Sequence, residues 1–277
     1  MIEKGGIGVI TEKIKHVLSS ELSTINENVA LLLSKGIDSS SLLFTLLEQG
    51  KSVTIYSFTL DYRESSDFKG AKKIAETFGV PFIPIYLPTD IELLKKDVLY
   101  LIKEKGLKKK TEVECTWAMM YALKTIKETV VVAGLGADGH FVISKKGCLH
   151  YKHTVELMNE FRNKLFSNPN YAQKEIVTQL AEEQGKKMIL PYLSKNMIDS
   201  FKNTTWEELN KPKQKQVILD MYPAFFEQIK VYHHSNFQLG DSGIAEHFTS
   251  LMKSDWNQGK GKTVVSIYNA IARGEIY

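Results

Sequence analysis

The sequence predicts an α/β protein, a doubly wound parallel sheet followed by a mainly helical C-terminal part. Three observations carry this. Residues 29–33 (VALLL) are an apolar run that breaks into Ser34-Lys35-Gly36-Ile37-Asp38-Ser39-Ser40, after which apolar residues return at Leu42, Leu43, Leu46 and Leu47. That pattern reads as a buried strand, a tight loop and a helix. From there to residue 87 the chain alternates strand-like and helix-like segments, the signature of parallel crossover units. Residues 130–133 (VVVA) form a second short apolar run that enters a glycine-rich turn, Gly134-Leu135-Gly136-Ala137-Asp138-Gly139.

Each element has its own reason. Residues 11–22 place Ile14, Val17, Leu18 and Leu22 on one helical face. Residues 52–60 (SVTIYSFTL) are rich in β-formers, and residues 68–78 alternate apolar and charged positions at helical spacing. Gly79 and Pro81 then stop that helix. Residues 81–87 (PFIPIYL) make a third strand, placed at an edge because two prolines remove ladder donors. Residues 91–110 are Lys-rich and helical in pattern, and the KEKGLKKK run that ends them reads as a solvated face. Residues 111–123 form another helix, on which Glu112 and Glu114 are candidates to face the site or ordinary exposed acids of a helix start. From Tyr151 onward the pattern is of helices and short loops, so the expected division is an α/β core over 1–150 and a helical region over 151–277 that closes over the site.

Composition excludes several classes. With 277 residues, 43% hydrophobic and 25% charged, the chain is that of a globular protein with a substantial core. A net charge of +4 spread over dispersed lysines makes a nucleic-acid surface an unfavoured expectation. Cys115 and Cys148 are the only cysteines, too few for a disulfide framework or a four-cysteine zinc site. No run approaches the roughly 20 apolar residues a membrane span needs. The first residues carry no signal-peptide pattern, which leaves the cytoplasm as the expected compartment.

The chemistry is concentrated in the first loop. A helix N-terminus presents unpaired N–H groups and partial positive charge, and so suits phosphate oxygens. Gly36 lets the main chain approach an anion, and Ser34, Ser39 and Ser40 add hydroxyl donors. Asp38 would repel phosphate unless a cation stood between them, which points to Mg–nucleotide. A capped helix after a strand is the plain alternative, since Asp and Ser are ordinary N-cap residues.

The spacing Ser34-x-Gly36-x-Asp38-Ser39 resembles the PP-loop of the N-type ATP pyrophosphatases, usually S-G-G-x-D-S, with Lys35 where the family has glycine. Residues 57–85 are similar to the asparagine synthetase stretch that follows an S-F-T strand, and residues 134–138 match its G-x-G-x-D. The resemblance implies an adenine nucleotide alpha hydrolase-like fold, ATP and Mg2+ as cofactors, and cleavage of ATP between its α and β phosphates. It makes Ser34, Lys35, Gly36, Asp38, Ser39 and Ser40 the phosphate loop, and Ser57 and Phe58 adenosine neighbours. Gly134 and Gly136 become main-chain contacts, and Asp38 and Asp138 the metal ligands. Departures are equally specific. Leu135 stands between the glycines where the family has an acid or a tyrosine, Gly139 replaces an acid, Ser194 replaces an Asp, and the expected lysine falls at His234 or Ser235. His140, His233 and His234 are the candidates for lost acid or base functions, with surface or packed histidines as the alternative. Lys260 and Lys262 do not form a Walker loop, because the required upstream glycine is Trp256, and read as a solvated turn.

The leading expectation is an ATP-consuming ligase of the asparagine synthetase type that adenylates a small carboxylate, or an amide-like oxygen, and passes it to a nitrogen nucleophile other than the usual one. No glutamine-hydrolysing segment precedes the loop, so glutamine-derived ammonia has no evident source within the chain, and a separate ammonia-supplying subunit is a candidate partner. A nucleotide-binding or sequestering module without turnover is the first alternative. An RNA-modifying PP-loop enzyme using Cys115 and Cys148 as a redox pair is the second.

Overall fold

A computed structural model describes residues 4–230, 242–257 and 263–277. Its framework is one parallel sheet of β1 (Val29–Leu32), β2 (Val53–Leu60), β3 (Phe82–Leu87), β4 (Val130–Ala133) and β5 (Lys187–Ile189), in the order β3-β2-β1-β4-β5. β1 and β4 are buried at every position, which is why they read as unbroken apolar runs rather than alternating ones. β3 lies at an edge, as its prolines require. β5 is an addition that the sequence did not disclose. Three residues beginning with an exposed lysine give too little period to read.

Alternate residues of each strand enter opposite cores. Val29 and Leu31 face one apolar cluster, and Ala30 and Leu32 face the other. Against the first face pack α1 (Lys4–Ser23), α2 (Ile37–Glu48) and α3 (Ser66–Phe78). Against the second pack α4 (Ile91–Leu99) and α5 (Lys110–Thr125). Beyond β4 come α6 (Asp138–Phe141), α7 (Lys145–His150) and α8 (Val155–Phe166), and α9 (Lys174–Glu183) leads into β5. The remainder is α10 (Lys195–Ser200), α11 (Trp206–Asn210), α12 (Gln216–Met221), α13 (Pro223–Phe226), α14 (Ile244–Thr249) and α15 (Val264–Ala272). α10 to α13 return to the first face, while α9, α14 and α15 cover the second. Fully buried side chains such as Leu42, Leu43, Val132 and Trp117 each contribute about 1.5–3 kcal/mol of transfer free energy.

Local sequence sets the helix ends. Ser65 accepts a hydrogen bond from the Phe68 N–H at the start of α3, and Gly79, at φ +64°, closes its end. Ser194 caps α10 by accepting from the Met197 N–H. The Lys-rich segment departs from a single helix. α4 runs into a π-helical turn over Tyr100–Glu104, and Gly106, at φ +69°, ends it before α5 restarts. Nor is the KEKGLKKK run wholly solvated. The Lys105 ammonium is drawn onto Glu183 and is nearly buried there, while Lys110 pairs with the fully buried Glu114 at 2.5 Å. Among the described residues no helix is long and apolar enough to cross a membrane.

Candidate functional site

The strand order reverses direction at β1, whose neighbours are β2 on one side and β4 on the other. In open α/β sheets the crevice outside the carboxyl ends at such a point is where ligands sit. β1 and β4 pair in register, Leu32 beside Ala133, so the loops that follow them emerge side by side. The Ser34 loop and the Gly134 loop are therefore neighbours by construction.

The first loop is braced by its own hydroxyls. Ser39 Oγ accepts from the Ser34 N–H at 3.2 Å and lies 3.1 Å from Ser34 Oγ, which accepts from the Gly36 N–H at 3.1 Å. Ser40 donates to the Gly36 carbonyl at 2.9 Å. Gly36 is the N-cap of α2 and supplies no side-chain cap to that helix start. The second loop lies against it. A Cβ on Gly134 would stand 3.4 Å from the Ser39 nitrogen and 3.6 Å from Asp38 Cβ, and glycine makes that approach comfortable. Gly136 sits at φ +84°, and a Cβ there would meet Leu193 Cδ2 at 2.1 Å, so it is a turn residue under cover. The amphipathic Lys35 turns the other way. Its stem packs over Gly70 of α3 and its ammonium meets Ser66.

Asp38 and Asp138 come together as the loop geometry demands, and the group between them is Lys215. Its Nζ lies 2.5 Å from Asp38 Oδ2 and 2.6 Å from Asp138 Oδ1. Lys215 is only 3% exposed. Burial pushes its pKa down, but the charges of Asp38 and Asp138 outweigh this and raise it, so the ammonium is firmly protonated. Sequence reasoning missed this residue. Lys211, Lys213 and Lys215 alternate identically in the sequence, and only the fold exposes the first two and buries the third.

The donor set suits a hard divalent cation. Two carboxylates that both touch one nitrogen can both touch one metal ion, and Mg2+ needs only one or two protein carboxylates when phosphates supply further oxygens. Among the described residues no group of three or more His, Cys, Asp or Glu converges, so such an ion would depend on the nucleotide for the rest of its shell.

The other predicted positions divide. Ser57 and Phe58 lie toward the carboxyl end of β2, Ser57 buried and Phe58 packed on the second core. Leu135 is likewise part-buried against that core, which accounts for an aliphatic residue there. Gly139 has no room for the family's acid. A Cβ would stand 2.7 Å from the Tyr171 hydroxyl and 3.1 Å from Phe166 Cζ. Tyr171 itself was not anticipated. Burial and the Asp138 charge push its phenol up to about 12.

His140 is corrected from acid–base candidate to packing residue. Its ring is fully buried between Phe166 and Phe201, at centroid distances of 4.5 and 4.3 Å. Its Nε2 donates to the Tyr192 carbonyl at 2.7 Å, and burial, helped by the Arg162 charge, lowers its pKa to about 3. Arg162, also buried, donates to the His140 carbonyl at 3.0 and 2.8 Å and to the Phe201 carbonyl at 2.7 Å, fixing α6 and hence Asp138. His233, His234 and Ser235 lie outside the described residues, as do Lys260 and Lys262. Of the α5 acids, Glu114 is fully buried with a raised pKa caused by that burial, whereas Glu112 pairs with Lys109 at 2.8 Å. Cys115 lies on α5 beside the second core. Cys148 lies on α7, its thiol donating to the carbonyl of Val142, and the two cysteines are not joined to each other.

Comparison with known proteins follows the geometry. A stretch of 81 residues, 27% of this chain, is 33% identical to the Microcin J25-processing protein McjC of Escherichia coli; the match spans 16% of that relative's length. The U34-tRNA thiolase NcsA from Methanococcus maripaludis is 13% identical, with a TM-score of 0.45 over 98% of this chain and 79% of that one. The NH3-dependent NAD synthetase from Campylobacter jejuni is 12% identical, with a TM-score of 0.36 over 97% and 93%. Likeness at that level assigns no chemistry. The profile of the asparagine synthase family matches residues 18–241, most of the chain and both aspartate loops, and the chain belongs to that family.

Proposed function

We propose that the chain is an ATP-dependent ligase that adenylates a carboxylate, releases pyrophosphate and passes the acyl group to a nitrogen nucleophile. The observation that supports it best is the convergence of Asp38 and Asp138, from neighbouring loops, on one cation-sized point beside the N-terminus of α2. In the first step a carboxylate oxygen attacks the α-phosphorus, the bond to the bridging oxygen breaks, and pyrophosphate leaves with the electron pair. In the second an amine attacks the acyl carbon, the carbon–oxygen bond to AMP breaks, and a base takes the amine's proton.

Little covalent chemistry falls to the protein, and positioning with charge neutralisation carries the first step. Ser34, Gly36, Ser39 and Ser40 would seat the β and γ phosphates. The Gly134 and Gly136 backbone would border the α-phosphate, and Ser57 and Phe58 the adenosine. Asp38 and Asp138 would hold Mg2+, whose charge screens the phosphates when it is bound. Lys215 supplies the positive charge between the two carboxylates when no ion is there. Lys35 contributes only indirectly, since its ammonium is committed to Ser66. His233 and His234 stay the proposed bases for the second step. Residues 151–277, which bring in Lys215 and Tyr171, are proposed to close over the crevice. A cytoplasmic setting and a separate source of ammonia belong to the same reading. The name of the Escherichia coli relative makes a peptide-borne carboxylate worth testing beside small acids.

One observation favours a second reading, a nucleotide-binding module without turnover. Leu135 and Gly139 place no acid or phenol of their own in the second loop. The same assay separates the two. Incubation with Mg–ATP and a panel of amino, keto and peptide acids releases pyrophosphate if the chain is a ligase. Tight ATP binding with no pyrophosphate from any acid supports the binding module instead.

A further inference from the structure

Lys215 is built into its place with unusual care. Its backbone is left-handed, φ +59°, a conformation that strains a lysine and that clusters at functional sites. Its N–H donates to Asn210 Oδ1 at 3.1 Å, and the Asn210 amide in turn donates to the Phe141 and Trp206 carbonyls, each at 3.1 Å. Its ammonium stands 5.4 Å from the Phe141 ring centroid. The clamp, the strained backbone and the burial together hold one ammonium at the point where Asp38 and Asp138 meet.

That point cannot hold two cations. An ion taking the ammonium's own position between Asp38 Oδ2 and Asp138 Oδ1, at the usual magnesium–oxygen distance of about 2.1 Å, would overlap an ammonium 2.5 and 2.6 Å from the same oxygens. To admit the ion, Lys215 must withdraw. Its stem is buried, so withdrawal into water is closed to it, and a displaced ammonium needs another anion within reach. Free Mg2+ brings none, whereas a triphosphate does.

We infer that Lys215 is a resident stand-in for the divalent ion: it closes the aspartate pair to free metal and yields only when metal arrives together with phosphate. This deepens the ligase reading and rests on it. Mn2+ is the probe, titrated into the whole chain and followed by loss of its free EPR signal, alone and then with α,β-methylene-ATP, with the Mn2+ taken up by the analogue in a protein-free titration subtracted.

In the wild-type protein the expected result is Mn2+ binding at least tenfold tighter with the analogue than without it. Lys215→Met is expected to bind Mn2+ without nucleotide at least tenfold tighter than wild type, and adding Asp38→Asn is expected to abolish the gain. Wild-type protein that binds Mn2+ alone as tightly as with the analogue would overturn the inference and leave the ligase site standing. So would a folded Lys215→Met that gains nothing. If Lys215→Met does not fold, the two wild-type titrations decide. Absence of Mn2+ binding even with the analogue would instead overturn the ligase site itself, and the inference with it.

Discussion

Removing the Lys215 charge should cost stability in a way that depends on which aspartate remains. Breaking a buried ion pair by deleting one partner costs about 3–5 kcal/mol when the abandoned charge has no water. Here the abandonment is unequal: the Asp38 side chain is 16% exposed and the Asp138 side chain 40% exposed. Solvent screens Asp138, so its share falls toward the 0–1 kcal/mol of surface pairs, about 0.5. Asp38 supplies most of the remainder. Lys215→Met, which keeps the backbone strain and the stem volume, is therefore expected to lose about 3 kcal/mol in urea unfolding followed by tryptophan fluorescence. In that background Asp38→Asn should restore about 1–2 kcal/mol, and Asp138→Asn about 0.5 or less. A Lys215→Met protein within about 0.5 kcal/mol of wild type would refute the reasoning. Equal recovery from the two Asn substitutions would refute the exposure argument in particular.

Three further outcomes follow from the same geometry. His140 is held neutral, its folded pKa of about 3 lying below the unfolded value of about 6.5. Between those values the unfolded chain binds the extra proton, so stability falls as pH drops below 6.5, by about 2 kcal/mol at pH 5. Unfolding series at pH 7.5 and 5 should show that slope, and His140→Phe should flatten it; an unchanged slope would count against a neutral buried ring. Arg162→Leu leaves the buried His140 carbonyl without its donor, while the Phe201 carbonyl keeps the Thr204 hydroxyl, a loss of about 1–3 kcal/mol. ATP affinity should weaken with it, since α6 carries Asp138, and nucleotide titration of the folded fraction checks this. Gly139→Glu, which returns the family's acid, should not raise activity but destabilise by about 1–3 kcal/mol, because the new Cβ meets Tyr171. Tyr171→Ala in that background should recover part of the loss in the same unfolding assay.

Much of the frame was legible because it rests on local signals. β1 and β4 read as apolar runs since both faces of a central parallel strand are buried. Once their order in the sheet is granted, the proximity of Asp38 and Asp138 follows from two loops leaving adjacent strands. What escaped is what only tertiary packing decides. A lysine normally signals surface, and nothing in residues 211–215 distinguishes the buried Lys215 from its two exposed neighbours. His140 suits catalysis by its ordinary pKa but is disarmed by two phenyl rings and a backbone carbonyl. The lysine run at the end of the 91–110 segment reads as solvated, yet Lys105, which caps the π-helical turn, pairs with Glu183 with its side chain nearly buried. Gly139 looks like a lost acid in the sequence, and in space it is the residue that lets Tyr171 and Phe166 approach the second loop.

The most direct measurement is a crystal structure of the protein with Mg2+ and α,β-methylene-ATP. One metal ion should lie within about 2.1 Å of an oxygen from each of Asp38 and Asp138. The triphosphate should rest on the α2 amides, with the Lys215 ammonium moved from the carboxylates onto a phosphate oxygen. A nucleotide seated elsewhere, or a metal ion touching neither aspartate while Lys215 stays between them, would contradict the account.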